Sequence, residues 1–299
     1  MSPRSAGLLQ GALAYGLWGI VPAYWKLLSG VDAVELIAHR ALWGLLAFVA
    51  IVVLAGQWDT LRASARDKRI VGVMAASSAL LAINWAVFIA ATLHGYLIEA
   101  SLGYFINPLF SIALGTLVLR ERLRRLQWIA IVLAGVGVAL MTWRTGRVPW
   151  VALVLASTFG LYGLVRKTAK VEAMVGSAIE TFVMAPVALV YLAMLGGGTI
   201  VHADVPTVLL IASTGVVTAV PLVLFASAAR KLPLSTVGFL QYLAPTGQFL
   251  LAVLAFGEPL AHGRLFAFGW IWAGLVVFSI DLVRAGRRSR AMVPVEESL

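Results

Sequence analysis

The chain of 299 residues contains no cysteine. Disulfides, thiolate metal centres and cysteine nucleophiles are excluded together. Charge is scarce as well. Asp, Glu, Lys and Arg make up 12% of the residues and hydrophobic types 61%, against about 25% and roughly 45–50% in an average soluble domain. So few polar side chains cannot cover a soluble fold of this size, which argues against a soluble enzyme, a nucleic-acid binder and a disordered chain. With a mean hydropathy of +0.95, what remains is a chain whose solvent is mostly lipid.

Signatures of catalysis are missing too. There is no His-Glu-x-x-His, no Gly-x-Ser-x-Gly and no Walker loop. Gly135-Val136-Gly137 begins a dinucleotide fingerprint, but Leu140 stands where the third glycine belongs, so close helix packing explains the glycines better. His39, His94, His202 and His262 have no metal-ligand spacing. No cofactor, no metal and no enzyme activity are expected, and any work done must draw on a gradient. The net charge of +10 would suggest nucleic acid in a soluble protein. Here the basic residues are scattered between apolar runs, so no nucleic-acid partner is expected.

Ten apolar stretches are present, at about 7–28, 34–55, 70–92, 97–119, 126–143, 148–166, 175–195, 206–229, 235–256 and 264–283, each near the ~20 residues that cross a bilayer. Arg4 precedes the first run, but Gln10, Tyr15 and Trp18 within it argue for a retained span rather than a signal peptide. Alternate loops carry the basic residues. With the N-terminus in the cytoplasm, 18 Lys and Arg lie inside and only Arg144, Arg147 and Arg264 outside, which places both termini in the cytoplasm.

The chain also repeats itself. Pro108, Glu121, Leu123 and Gly137 match Pro245, Glu258, Leu260 and Gly274 at a spacing of 137 residues, as Phe88 matches Phe225. Lys26 matches Lys167 and Glu35 matches Glu180 at slightly larger spacings. Five spans per half is an odd number, so the second half enters the membrane upside down. The expected fold is an all-α membrane protein of ten transmembrane helices in two inverted-topology repeats of five. The first repeat covers residues 1–145, the second 146–285, and a disordered cytoplasmic tail 286–299.

Polar residues at membrane depth are costly and therefore candidates for function. Span 2 carries Glu35, His39 and Arg40, with Glu35 and His39 on one helix face. Arg40 can take a carboxylate with its planar fork, or pair with Glu35, or snorkel. Lys26, Lys167 and Glu180 are candidates for gates, coupling or ion pairs, with Arg166 or Lys167 as partner of Glu180. Spans 4 and 9 each place a proline, Pro108 and Pro245, beside polar side chains. A mid-helix proline frees a backbone carbonyl and kinks the helix, so Pro108 and Pro245 are expected to act as hinges, and the freed carbonyls together with Tyr104, Asn107, Gln241, Tyr242 and Gln248 supply material for a binding site or for packing. Trp18, Asn84, Trp85 and Tyr162 lie too deep for an interfacial belt and are expected to line a cavity.

The segments Trp18-Gly-Ile-Val-Pro-Ala-Tyr-Trp-Lys26, Ala38-His-Arg40, Asn84-Trp85, Glu99 to Pro108, Tyr162-Gly-Leu-Val-Arg-Lys167 and Leu234-Ser-Thr-Val-Gly-Phe closely resemble the RarD-type permeases. That family belongs to the EamA group of the drug/metabolite transporter superfamily and is associated by name with chloramphenicol sensitivity. The resemblance spans about residues 7–285. It implies a bacterial inner-membrane exporter of small molecules, with a cavity built mainly from spans 1, 3, 4, 6, 8 and 9. Superfamily relatives often carry Gly-Glu after span 4, where this chain has Arg120-Glu121; the departure is expected to alter a turn. The expected function is secondary active transport of a small molecule by alternating access, with the lipid bilayer as surroundings. Proton coupling and a homodimer are left open. The alternatives are a facilitative channel-like pore and a membrane-embedded enzyme using Ser101 or Ser235 with His39.

Overall fold

A computed structural model describes residues 2–93, 97–143, 149–255 and 262–291. His94, Arg144, Arg147, Glu258, Leu260, residues 292–299 and the side chains of Glu99, Ser101, His262 and Arg264 lie outside the described residues. Twelve helices follow one another: α1 (Pro3–Leu27), α2 (Ala33–Leu54), α3 (Trp58–Arg66), α4 (Lys68–Leu93), α5 (Leu97–Leu117), α6 (Arg125–Trp143), α7 (Trp150–Thr168), α8 (Ala173–Met194), α9 (Val205–Lys231), α10 (Leu234–Gln241), α11 (Leu243–Leu254) and α12 (His262–Ala291). No strand occurs among the described residues. Residues 286–291, expected as tail, continue α12.

Short polar caps start α1, α2, α4 and α9. Ser2 accepts from the Ser5 amide before Pro3, Asp32 from the Val34 and Glu35 amides, and Asp67 from the Arg69 amide at 2.8 Å. Asp204 does the same for α9, and the Thr207 hydrogen bond holds its carboxyl below the usual carboxylate range. Prolines act unequally. Proline donates nothing to the carbonyl four residues back; for Pro245 that carbonyl belongs to Gln241, where α10 stops and α11 begins after Tyr242. Pro22 and Pro108 lie inside α1 and α5, which run on through them. α3 was not among the expected apolar spans, because it is a short amphipathic helix on which Arg62 lies over the Trp58 ring at 5.1 Å.

Among the described residues seven helices are long and apolar enough to cross a membrane: α1, α2, α4, α6, α8, α9 and α12. α5 offers a shorter apolar stretch, Leu102–Leu117, and α10 and α11 are two halves of one broken rod. The length and hydropathy of these helices make the chain a multi-pass membrane protein.

Packing follows a regular pattern. α1 packs on α9 and α11, α7 on α4 and α5, α2 on α9, α8 on α4, and three pairs close the set: α2 with α8, α5 with α10, α6 with α12. The α6–α12 contact is reciprocal down to single atoms. A Cβ on Gly137 would lie 2.7 Å from the Ala267 carbonyl, and one on Gly274 would lie 2.7 Å from the Ala130 carbonyl. Both glycines are thus required by close backbone approach, and each pair of positions is separated by the same 137 residues. The buried core lies where the two halves meet, around Tyr15, Phe48, Met74, Tyr162 and Phe225.

Candidate substrate-binding site

Arg40 lies seven residues into α2, about 10 Å from its start at the helical rise per residue. Its guanidinium carbon sits 4.8 Å from the Trp25 ring centre and 5.0 Å from that of Trp85. Cation–π attraction replaces part of the hydration that the charge has lost. Nε donates to Thr218 Oγ1 on α9 at 3.1 Å, and Tyr24 packs edgewise on Trp25 at 5.0 Å. Tyr24 is itself fixed by its bonds to the Leu210 carbonyl and Ser213. Tyr104 is 43% exposed and packs edgewise on Phe88. Beside Arg40 and Trp85 lies an enclosed cavity of about 10 Å³, lined also by Ser177, Glu180, Thr181 and Thr218, the size that holds a single water.

Toward the end of the bundle that carries the N-terminus lies an aromatic cluster. Trp18, Phe159, Tyr162 and Phe225 pack ring on ring with Tyr15, Tyr162 stacking on Phe225 at 5.6 Å. Below them charge complements helix ends. The Glu121 carboxylate accepts from the Leu234 and Ser235 amides at the start of α10, at 2.6 and 2.9 Å, and from the Ser235 hydroxyl at 2.7 Å. Lys167 Nζ donates to the Leu232 and Ala229 carbonyls at the end of α9. Negative charge at a helix start and positive charge at a helix end both oppose the local dipole favourably.

The remaining candidates divide by what they touch. Asn84 donates to the Leu155 carbonyl and to Thr158 at 2.9 and 2.8 Å, tying α4 to α7. Gln248 donates to the Trp18 carbonyl at 3.1 Å, the very group that Pro22 leaves without a helical donor. Gln241 donates to Ser111 at 3.0 Å and so joins α10 to α5. The carbonyl oxygens of Gln241 and Asn107 are buried and unbonded, as is the Tyr242 hydroxyl. Pro108 meets the second half closely, since a Cβ on Gly238 would lie 2.8 Å from its carbonyl. Glu35 reaches His39 at 3.4 Å and accepts from the Thr199 amide and hydroxyl, not from Arg40. Glu180 pairs with Arg166 at 3.3 Å, both almost fully buried. Lys26 is exposed at the end of α1. The Ser235 hydroxyl is taken by Glu121 and His39 by Glu35, and among the described residues no three His, Asp or Glu side chains gather as a metal site.

Residues 5–143 match the EamA-like transporter family. The chain is 48% identical to an uncharacterized transporter of Pseudomonas aeruginosa over 94% of this chain and 96% of that one. It is 46% identical to the protein RarD of Streptomyces exfoliatus over 96% and 92%. This chain is a RarD-type member of the EamA-like transporter family. A solved crystal structure at 19% identity superposes with a TM-score of 0.75, covering 94% of this chain and 99% of that one, a likeness of fold alone.

In this RarD-type permease several site residues carried no usable signal in the sequence. Thr218 is one hydroxyl in an apolar run, brought to Arg40 by the packing of α9 on α2. Trp25 lies over the guanidinium, and Tyr24 packs edgewise on Trp25. Arg120 adopts φ 54°, the left-handed region that glycine favours, in the turn that delivers Glu121 to the start of α10.

Proposed function

We propose that this permease is a secondary transporter that moves a small organic solute by alternating access across the bacterial inner membrane. On this reading ten spans form two inverted repeats, with the broken pair α10–α11 counted as one span and α3 lying outside the bilayer. The exchange of packing partners supports this. Swapping each span for its counterpart turns α1 on α9 into α7 on α4, and α1 on α11 into α7 on α5, and leaves the α6–α12 contact unchanged. The positive loops support cytoplasmic termini.

The observation that carries the mechanism is the inequality of the two ends. The half near the N-terminus is sealed by the aromatic cluster and the Glu121 clamp, whereas the half around Arg40 leaves Tyr104 open. A single site shut on one side and reachable from the other is one of the two end states of alternating access. Closing around Tyr104 and releasing Ser235 from Glu121 would give the opposite state. The break at Tyr242 lets α10 move without α11.

The absence of cysteine makes the test clean. Ser29→Cys is expected to react with an impermeant maleimide from outside intact cells, and Arg122→Cys only after permeabilisation. In proteoliposomes, flux is expected to saturate and to show counterflow. Non-saturating flux that ignores Gln241→Ala would indicate a pore and overturn the mechanism, while reversed labelling would overturn the orientation.

A further inference from the structure

Arg40 is a cation inside a membrane span, and no carboxylate among the described residues pairs with it. Glu35, on the same helix, is taken by His39 and Thr199. Glu180, which shares the small cavity with Arg40, is taken by Arg166 at 3.3 Å. An unpaired charge at such a position is a standing cost, kept where it has a partner to receive. The geometry narrows what that partner is. Trp25 and Trp85 lie against the guanidinium, and Nε is bonded to Thr218. Both terminal nitrogens lack a hydrogen bond among the described residues, so the outer edge of the fork is the unused part. An edge of two parallel N–H donors matches a planar carboxylate.

We infer that Arg40 is the recognition site for the carboxylate of an organic anion whose planar, apolar body packs against Trp25, Trp85 and Tyr104. The inference rests on the transport reading and names its substrate class. The described carboxylates Glu35 and Glu180 are already engaged, which favours a simple anion over a zwitterion. The aromatic flank favours an organic acid over inorganic phosphate, since phosphate has no apolar body to bury.

The test uses the full chain in detergent micelles with tritiated 3-phenylpropionate as the probe. Saturable binding is expected, displaced by unlabelled 3-phenylpropionate and at least tenfold less well by 3-phenylpropionamide, phenethylamine, phenylalanine and phosphate. Arg40→Gln is expected to weaken binding at least tenfold, and Arg40→Lys to recover part of it. The comparison of acid with amide on the unmutated chain keeps the inference falsifiable even where Arg40→Gln misfolds. No saturable binding, displacement by the amide or by phosphate as strong as by the acid, or unchanged binding in folded Arg40→Gln each overturns it. Counterflow of the probe in proteoliposomes separates the two readings. Carboxylate-selective, Arg40-dependent binding without flux leaves the anion site standing and removes the transporter. Saturable flux of neutral solutes, indifferent to Arg40, leaves the transporter and removes the anion site.

Discussion

The buried Arg166–Glu180 pair allows a quantitative test of how an ion pair ties α7 to α8. At 3.3 Å and an effective dielectric of 20, the attraction between unit charges is about 5 kcal/mol. Removing one partner leaves the other charge buried and unpaired, at a typical cost of 3–5 kcal/mol. Arg166 keeps its bonds to the Ala173 carbonyl at 2.7 Å and to Ser177 at 3.2 Å when Glu180 is neutralised, so Glu180→Gln is expected at the low end, about 3 kcal/mol. Arg166→Met loses those two bonds as well and falls nearer 5 kcal/mol. The double substitution Arg166→Met with Glu180→Leu removes both charges and is expected to cost far less than the two losses combined, with a coupling of at least ~2 kcal/mol. Equilibrium unfolding in mixed micelles with increasing dodecyl sulfate, followed by circular dichroism, reads all four corners of the cycle. Additivity to within ~0.5 kcal/mol would refute the reasoning, because it would mean that the two charges are solvated separately.

Three further tests probe the backbone around the site. Arg120→Gly relieves a side chain held at φ 54° and should stabilise the protein by about 1 kcal/mol in the same unfolding assay, whereas Arg120→Val should destabilise it. Gln248→Ala should cost about 1 kcal/mol by orphaning the Trp18 carbonyl, and much less in a Pro22→Ala background, where residue 22 supplies an N–H in place of the amide. Gly215→Ala drives a methyl into the Trp43 carbonyl, forcing α2 and α9 apart. It should cost about 1–3 kcal/mol and also weaken phenylpropionate binding, since Thr218 on α9 then withdraws from Arg40; unchanged binding would sever Thr218 from the site.

Much of the architecture was legible because membrane spans advertise themselves. Uniform apolar runs gave nearly every helix, and the spacing between Pro108 and Pro245 and between Gly137 and Gly274 marked positions where helices meet. Those residues act through the backbone, and backbone requirements survive in residue identity. The break at Tyr242 was half legible: Pro245 predicts a disturbed carbonyl, but Pro22 and Pro108 carry the same signal without a break. The difference lies in the surroundings, since Gln248 supplies the Trp18 carbonyl with a donor from another helix. Site chemistry was less legible. Asn84, Gln241 and Gln248 are polar at depth as expected, yet all three spend an amide hydrogen on another helix. Depth and polarity mark a cost, and only the three-dimensional partner tells whether that cost is met by packing or reserved for a ligand.

That distinction bears on how the proposed pair of repeats acquires one specificity. Glu35 and Glu180 occupy matching places in the two halves, but one faces a histidine and a 3-10 turn while the other faces Arg166. At the spacing that relates these two carboxylates, Arg40 falls opposite Ala185. At that spacing the charge of Arg40 has no counterpart. On the proposed reading two repeats share the motions that open and close a central site, but a solute with one carboxylate is oriented only when the two are chemically uneven. A second arginine opposite Arg40 would offer the anion two competing poses and bring two like charges together in one low-dielectric space. Ala185→Arg is accordingly expected to weaken phenylpropionate binding rather than strengthen it. Tighter binding in that variant would show that net positive charge in the cavity, and not the single fork between Trp25 and Trp85, determines recognition.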